Sequence, residues 1–274
     1  MVDLQQGEII FENDKVLGPS FNLIPGHSEM KLVSQENRIL ENHTVKENIA
    51  DCLSGYTNEY KIERIDEVLK AVDLKKFSQK KANLLSSGQR QRLSIARAIA
   101  EFPKLLLLDE PFSNLDFSRR DLLFTFIRKN LKQNKSSCIY ITHHPNEAIR
   151  YADQLIIMEE GKIMEQNHPE KIYKQPKSVE IAKLFGSIYL IDKKLFSNVD
   201  GMICFKEKCL IRPEQLYLST EKKKSVNISA TVETTFFSGY RYDIQVRLAN
   251  KKIICFNHHE PLPEKKKIVL SVLV

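Results

Sequence analysis

The stretch that decides the fold runs from Leu85 to Asp116 and reads LSSGQRQRLSIARAIAEFPKLLLLDEPFSNLD. Its four consecutive leucines, Leu105–Leu108, are bounded by turn residues and predict a strand buried on both faces, as in a parallel sheet. The carboxyl end of such a strand is where α/β proteins usually place their chemistry. Here that end carries the adjacent carboxylates Asp109 and Glu110. The sequence therefore predicts a polar site at this sheet edge, and an acid pair that merely caps a neighbouring helix is the alternative.

Small residues stand upstream of that strand, where a helix is expected to begin. Ser86, Ser87 and Gly88 precede a basic, alanine-rich segment in which the apolar residues Leu93 and Ala96 recur at helical spacing. The start of a helix leaves backbone N–H groups without partners and carries the positive end of the helix dipole. An anion-binding position is therefore expected here.

Together, and in this order, the small-residue helix start and the acid-terminated strand resemble the signature and Walker B motifs of the ATP-binding-cassette (ABC) ATPases. The resemblance covers nearly all 274 residues and is strongest from 35 to 143. It implies an α/β fold, an incomplete P-loop NTPase sheet with a helical subdomain at about residues 36–100, and it implies ATP and Mg²⁺ as cofactors. In this family Asp109 would hold the Mg²⁺ shell, and Glu110 would be the general base toward the attacking water.

Two further polar residues extend the resemblance. Gln35 follows the strand predicted at Lys31–Ser34, as the Q-loop glutamine of the family does, and would reach the metal and the water. His143 follows the strand predicted at Cys138–Thr142 and matches the switch histidine, whose imidazole can hydrogen-bond the γ-phosphate. At the next position the chain departs from the family, because His144 stands where an acid is usual.

The resemblance also implies a dimer. In the family the signature motif, here Ser86, Ser87, Gly88 and Gln89, closes over the nucleotide held by the other subunit, and the D-loop residue Asp116 lies at that interface. The family prefers glycine where this chain has Ser87. Because serine is also small, we expect weakened rather than lost function.

The phosphate cradle of the family is missing from the sequence. No Gly-x-x-x-x-Gly-Lys-[Ser/Thr] pattern occurs, and Leu17–Ser20, which begins like the family's loop, continues without glycine or lysine. The family's spacing would place the cradle upstream of Met1. Two explanations remain. One is an N-terminally truncated chain, and it is favoured because the loss of that segment would expose apolar faces of the sheet. The other is a family member that has lost ATP binding. Either way, a homodimer of this chain would contain no complete ATP site.

After about Ser187 the sequence changes to short apolar runs and tight turns, which predict a small β barrel or sandwich. Ile211–Leu216 and Tyr242–Val246 resemble the TOBE-type domain appended to many bacterial importer ATPases. The predicted domains are therefore an ABC ATPase domain at 1–187, lacking its N-terminal part, and a small all-β (OB/TOBE-like) domain at 188–274.

The importer resemblance implies a function. The chain would be the ATP-hydrolysing subunit of a system that imports a small solute: ferric iron, a polyamine, an oxyanion or a sugar. Its implied partners are a second ABC ATPase subunit, transmembrane permease subunits and a substrate-binding protein, at the cytoplasmic face of the cell membrane. The alternative is a non-hydrolytic regulatory ABC protein whose tail senses a ligand.

Composition limits other classes of protein. No apolar run approaches the roughly 18 residues that span a bilayer, and the first residues show no secretory signal. Five scattered cysteines argue against a disulfide framework and for a reducing compartment. The net charge of +7 suggests nucleic acid, but the lysine tracts lack interleaved aromatic residues, so we expect a solvated surface and no nucleic-acid partner. Cys204 and Cys209, with His258 and His259, are expected to be hairpin and surface residues rather than a metal site.

Overall fold

The computed structural model describes residues 6–21, 27–34, 39–101, 103–112, 116–196, 201–219 and 226–273. The chain divides into two compact units, Met1–His143 and His144–Val274. Among the described residues, no helix has the length and apolar character needed to cross a bilayer.

The first unit combines a parallel sheet with helices, as the alternation of apolar runs and amphipathic segments predicts. Its helices and strands are β1 (Ile10–Phe11), β2 (Asp14–Lys15), β3 (Met30–Val33), α1 (Val45–Asp51), α2 (Asn58–Ala71), α3 (Ser87–Ala100), β4 (Leu105–Asp109), α4 (Phe117–Asn134) and β5 (Ser137–Ile141), with 3-10 turns at Pro19–Phe21, Lys75–Phe77 and Ala82–Leu84. Helix α4 is longer at both ends than the helix predicted at Asp121–Leu131. Its earlier start is explained by Asp116, which is the N-cap.

The parallel sheet has the strand order β3-β4-β5, so the leucine strand is central. Leu106 and Leu108 are buried, whereas Leu105 and Leu107, on the opposite face, are only half-buried. The expectation that this strand is buried on both faces was therefore wrong. Four successive leucines cannot show which face the described helices cover.

An apolar row crosses the less covered face of the sheet. Leu107 lies in register with Leu32 of β3 and Ile139 of β5. Leu32 is 44% exposed and Ile139 is 54% exposed. Within the described part of the chain, this row is an accessible apolar surface of a kind that usually contacts another element or partner.

Helices α1 and α3 both begin with a capping box. Thr44 Oγ1 accepts from Glu47 N at 3.1 Å, and Glu47 Oε2 accepts from Thr44 N at 2.7 Å, which confirms the predicted start of α1. Ser86 and Gln89 form the same pair of hydrogen bonds at the start of α3. Local sequence therefore fixes both helix starts.

A buried arginine joins three helices of the first unit. Arg64 of α2 is 6% exposed. Its Nε and Nη2 atoms donate to the carbonyl oxygens of Ala100 and Ile99 at 2.9 Å, and its Nη1 donates to Asn130 Oδ1 of α4 at 3.1 Å. The last carbonyls of a helix have no intrahelical partner, so Arg64 completes the end of α3 while tying it to α2 and α4.

The second unit begins with helices and a hairpin and continues as antiparallel sheets. Its elements are α5 (Pro145–Tyr151), β6 (Leu155–Glu159), β7 (Lys162–Asn167), α6 (Pro169–Lys174), α7 (Val179–Leu184), β8 (Tyr189–Asp192), β9 (Cys204–Phe205), β10 (Lys208–Ile211), β11 (Leu216–Leu218), β12 (Val226–Phe237), β13 (Tyr242–Leu248), β14 (Ile253–His258) and β15 (Lys267–Val272), with 3-10 turns at Lys193–Leu195 and Pro213–Gln215. Strands β6 and β7 form the predicted hairpin around Gly161.

The C-terminal part is a curled, all-antiparallel sheet with the strand order β11-β15-β12-β13-β14. Inward side chains from alternate positions, such as Val232, Val246 and Phe256, form one core. A bulge between Val232 and Thr234 interrupts the pairing of β12 with β13, and bulges of this kind increase local twist. This sheet confirms the predicted small all-β portion.

Two cysteines form a bridge that the sequence analysis did not expect. Cys204 of β9 and Cys209 of β10 stand directly opposite each other and form a disulfide. The odd, scattered cysteine count concealed the pair, because only the hairpin register brings the two residues together. Their expected role as paired hairpin residues is confirmed, and the disulfide between them was not predicted by the cysteine count, which argued against a disulfide framework. No group of three or more metal ligands occurs among the described residues.

Tyr173 of α6 meets the turn that follows β10. Its hydroxyl donates to Glu214 Oε1, and the Arg212 guanidinium lies 4.1 Å from the centre of its ring. Burial, the hydrogen bond with Glu214 and that carboxylate's negative charge raise the pKa of Tyr173 to about 12. The phenol is thus held in its neutral form.

The Arg64 contacts predict a large stability loss on truncation. In Arg64→Ala, the two carbonyls at the end of α3 and the Asn130 amide lose a buried charged donor, so we expect the free energy of unfolding to fall by about 2–4 kcal/mol. Lys70→Ala, on the same helix, removes only the exposed pair with Asp66 and should cost at most about 1 kcal/mol. Urea denaturation of both variants measures the difference, and equal losses would contradict the described role of Arg64.

The Tyr173 environment predicts a pH-dependent stability. An unfolded tyrosine ionises near pH 10, whereas folded Tyr173 ionises near 12. Between these values the unfolded chain has lost a proton that the folded chain keeps, so stability should decline as pH rises through this window. Tyr173→Phe should make the decline shallower, whereas Tyr240→Phe, at a side chain that is 79% exposed, should not. Thermal midpoints measured across the window test this, and parallel curves for wild type and Tyr173→Phe would refute it.

Candidate functional site

The leucine strand ends in a turn that places two acids at the edge of the sheet. Asp109 is the last residue of β4 and lies in register with Ile141 of β5. Glu110 follows with a φ of 44°, a left-handed conformation that is uncommon for residues other than glycine. Its backbone N–H donates to the carbonyl of Ile141 at 3.0 Å. The sheet pairing therefore holds Glu110 in a strained turn, as is common at functional sites.

The turn brings the Glu110 carboxylate to His143. The imidazole Nδ1 lies 2.9 Å from Glu110 Oε1, a distance at which an imidazole N–H donates to a carboxylate. His143 follows β5 in the sequence, one strand away from β4. Parallel pairing aligns the carboxyl ends of the two strands, so residues far apart in the chain share one sheet edge. The structure thus joins two of the predicted catalytic residues.

The signature residues occupy the first turn of α3. Ser86 is the N-cap, and its hydroxyl accepts from Gln89 N at 3.3 Å, while the Gln89 side chain accepts from Ser86 N at 3.0 Å. Ser87 and Gly88 are the first two helical residues. The side chains of Ser86 and Gln89 each accept a hydrogen bond from the backbone N–H of the other residue. Anion binding at this position would rely on the backbone N–H groups of the first turn.

Helix α3 is also in contact with the acid turn. Gln91, one turn beyond the signature residues, is buried, and its Nε2 lies 3.5 Å from the Glu110 carbonyl oxygen. Within one chain the described contacts do not bring Ser86 or Gly88 to the Glu110 carboxylate, and α3 contacts the acid turn through Gln91. Nothing in the sequence pattern marked Gln91, because an isolated glutamine within a helix carries no signal.

Of two further predicted site residues, the structure describes Asp116 but not Gln35. Asp116 caps α4, accepting from Arg119 N at 3.0 Å, and pairs with the Arg119 guanidinium at 3.2 Å. The rest of the D-loop, Ser113–Leu115, and Gln35 lie outside the described residues. The roles predicted for Gln35 in the metal shell and toward the water stay predictions.

The donor set at the sheet edge is suited to Mg²⁺. Asp109 and Glu110 supply hard carboxylate oxygens, and Mg²⁺ commonly takes one or two carboxylates together with substrate phosphates and water. His143 is engaged with Glu110 and is a softer, less suitable ligand. Asp109 therefore fits the role of metal ligand, provided that nucleotide phosphates supply other oxygens.

The backbone of Glu110 yields a prediction for the acid turn. Glu110→Gly and Glu110→Ala remove the same carboxylate, so the difference between their free energies of unfolding reports the cost of the positive φ of 44°. We expect the glycine variant to be more stable by about 1 kcal/mol. At Asp109, which lies in the strand, the order should reverse, with glycine less stable by about 0.5–1 kcal/mol. Urea denaturation of the four variants is the measurement, and the same ranking at both positions would rule out the strained turn.

Comparisons with known proteins identify the family of the chain. The family model described as ABC transporter matches residues 1–113. The spermidine/putrescine import ATP-binding protein PotA of Clostridium novyi (strain NT) is 31% identical over 264 residues, which span 89% of this chain and 74% of the relative. The Fe(3+) ions import ATP-binding protein FbpC of Haemophilus influenzae (strain 86-028NP) is 32% identical over 88% of this chain and 74% of the relative.

A solved structure is also similar. The ATP-binding cassette MJ0796, determined as a dimeric post-hydrolysis state bound to ADP and Pi, matches 60% of this chain and 74% of its own length at 25% identity, with a TM-score of 0.51. The family model, the relatives and the solved cassette all indicate an ABC ATP-binding protein. The chain belongs to the ATP-binding subunits of ABC transporters, and its relatives serve import systems.

Proposed function

We propose that this chain is an ATP-hydrolysing subunit of an ABC import system, with Asp109, Glu110 and His143 on the hydrolysis side of its nucleotide site. The observation that carries the proposal is the 2.9 Å contact between His143 and Glu110 at the carboxyl end of the leucine strand. A pair of acids that only capped a helix would not need a histidine from the neighbouring strand. This contact therefore favours chemistry over the structural alternative.

Each residue has a distinct part in this proposal. Glu110 accepts a proton from the attacking water, and His143 holds its carboxylate in one orientation. Asp109 would hold Mg²⁺, and the metal, when bound, would supply charge neutralisation at the transferred phosphoryl group. Gln35, outside the described residues, would position the water and contact the metal.

The signature residues act on the nucleotide of a second subunit. The backbone N–H groups in the first turn of α3 are suited to binding a phosphate group, because the small residues Ser87 and Gly88 leave them accessible. Ser86 and Gln89 hold that turn in shape through their capping box, and Asp116 would lie at the interface between the subunits. ATP would thus be bound between two ABC ATPase subunits.

This sequence lacks a phosphate cradle of the form Gly-x-x-x-x-Gly-Lys-[Ser/Thr]. A homodimer of this chain would therefore contain two acid turns and two signature helices but no cradle. Paired with a subunit that has a cradle, the chain would complete one site by contributing Ser86 and Gly88. We infer that the chain is inactive alone and active as part of a mixed pair.

The transport role is inferred from the relatives. Their names specify polyamine and ferric ion import, and we propose a small solute of this kind, with an oxyanion or a sugar as further candidates. The partners would be transmembrane permease subunits and a substrate-binding protein, and the chain would act at the cytoplasmic face of the membrane. The curled C-terminal sheet would be the TOBE-like domain of such a subunit, with the boundary proposed at 187/188.

A regulatory, non-hydrolytic role is the second candidate. The missing cradle favours this role, because a subunit that cannot bind ATP can still change the activity of its partner subunit. The two candidates differ in one respect: the hydrolytic subunit must support turnover when a cradle is supplied in trans, and the regulator need not.

Complementation tests whether Ser86 and Gly88 complete a nucleotide site in a mixed pair, the part of the proposal that does not involve Asp109, Glu110 and His143. The partner is the Clostridium novyi relative in a variant whose own signature glycine is replaced by aspartate, so that its homodimer cannot close over ATP. The isolated chain should show no ATP hydrolysis, and adding it to this partner should restore turnover at one site per pair. Gly88→Asp should lower the restored ATP turnover at least about a hundredfold, because the first turn of α3 then places a negative charge next to the phosphates.

The matched control is Lys70→Ala, an exposed change in the same helical subdomain that should leave the rescue intact. Turnover by the isolated chain would contradict the claim that it lacks a complete site. Pair formation without turnover, shown by co-elution of the two proteins, would favour the regulatory candidate.

A further inference from the structure

The second unit contains a cavity of about 260 Å³ between α6, the end of α7 and the curled sheet. This volume is just below the roughly 300–1,000 Å³ range of pockets for drug-sized ligands, so it suits a smaller molecule. Its wall includes the aromatic residues Tyr173, Phe185 and Tyr189 and the basic residues Arg212 and Arg241. The acids Glu214 and Asp243 also line it, so the cavity combines aromatic residues with charges of both signs.

Arg212 is the most unusual group in this wall. The residue is 4% exposed. Among the residues that the structure describes, its side chain has one hydrogen bond, from Nη2 to the Ala182 carbonyl oxygen at 3.2 Å, and no carboxylate partner. Its stacking on Tyr173 leaves further N–H donors. A buried cation normally has an anionic partner, because burial without one is costly.

The acids of the wall are already engaged with other groups. Glu214 is exposed and accepts from the Tyr173 hydroxyl. Asp243 accepts from Ser238 at 2.5 Å and pairs with Arg241. With the Asn257 amide oriented to satisfy both of its atoms, Asn257 also donates to Asp243 at 2.8 Å and accepts from Arg241 at 3.2 Å. Arg241 therefore has a direct ion-pair partner in the wall, whereas Arg212 has none among the described residues. The nearest negative charge of the wall on the Arg212 side, that of Glu214, is bonded to the far end of the Tyr173 ring.

We propose that this cavity binds a small organic anion, whose carboxylate or phosphate group pairs with Arg212. The planar guanidinium can bond two oxygens of either group. The carbon body of the ligand would lie against Phe185 and Tyr189. The site is separate from the nucleotide chemistry of the first unit, and the inference does not depend on the proposed hydrolysis.

Titration calorimetry on the full chain tests the proposal with four probes at constant ionic strength: malonate, inorganic phosphate, neutral malonamide and putrescine. Saturable binding of malonate or phosphate at one site per chain is expected, and the stronger of the two identifies the anionic group. Malonamide has nearly the shape of malonate without its charge, and it should bind at least about tenfold more weakly. Putrescine carries the opposite charge and should not bind at this site.

Variants locate the binding. Arg212→Met should weaken it at least about tenfold, the value of one charge-assisted hydrogen bond. If Arg212→Met does not fold, Ser187→Glu serves instead, since exposed Ser187 lines the cavity and a carboxylate there repels an anion. Arg247→Gln, which removes an exposed arginine paired with Glu233 in the same sheet, is the charge-matched control and should bind normally. Absence of saturable anion binding, equal binding of malonamide, or equal losses in Arg247→Gln and Ser187→Glu would overturn the proposal.

Discussion

The parallel pairing of the leucine strand with its two neighbours is the constraint on which the rest of the site depends. Because β4 lies between β3 and β5 in register, the residues after each strand emerge at one edge of the sheet. This pairing places His143 beside Glu110, although 33 positions separate them in the chain. It also imposes the left-handed backbone of Glu110, whose N–H completes a hydrogen bond to β5. Strand geometry, rather than a local motif, thus brings together Glu110 and His143, the residues proposed for hydrolysis.

The elements that could be predicted were those with strong local signals. The capping boxes at Thr44 and Ser86 depend on residues three positions apart, so the sequence alone locates both helix starts. The Asp109–Glu110 pair was predicted to lie at the end of a strand because it follows four consecutive leucines and precedes Pro111. The predicted α/β class and the small β portion were confirmed for the same reason, since periodicity changes along the chain.

Other features depend on contacts between distant residues, and no local pattern could reveal them. Burial of only one leucine face depends on which helices cover the sheet. The Cys204–Cys209 bridge depends on hairpin register. Gln91 contacts the acid turn from the middle of a helix, and Arg212 is buried against Tyr173 through a turn 39 positions later. Arginine is usually a surface residue, so composition would have assigned Arg212 to solvent.

The two buried arginines of the helical subdomain have a mechanical consequence. Arg64 reaches from α2 to the last carbonyls of α3. Arg92 reaches from α3 to the carbonyls of Val72 and Asp73, just beyond the end of α2. Two reciprocal clamps of this kind prevent α2 and α3 from sliding past each other. A displacement of α2 would therefore move α3 with it as one rigid pair of helices. The displacement would reach the N-terminal end of α3, where Ser86 and Gly88 lie.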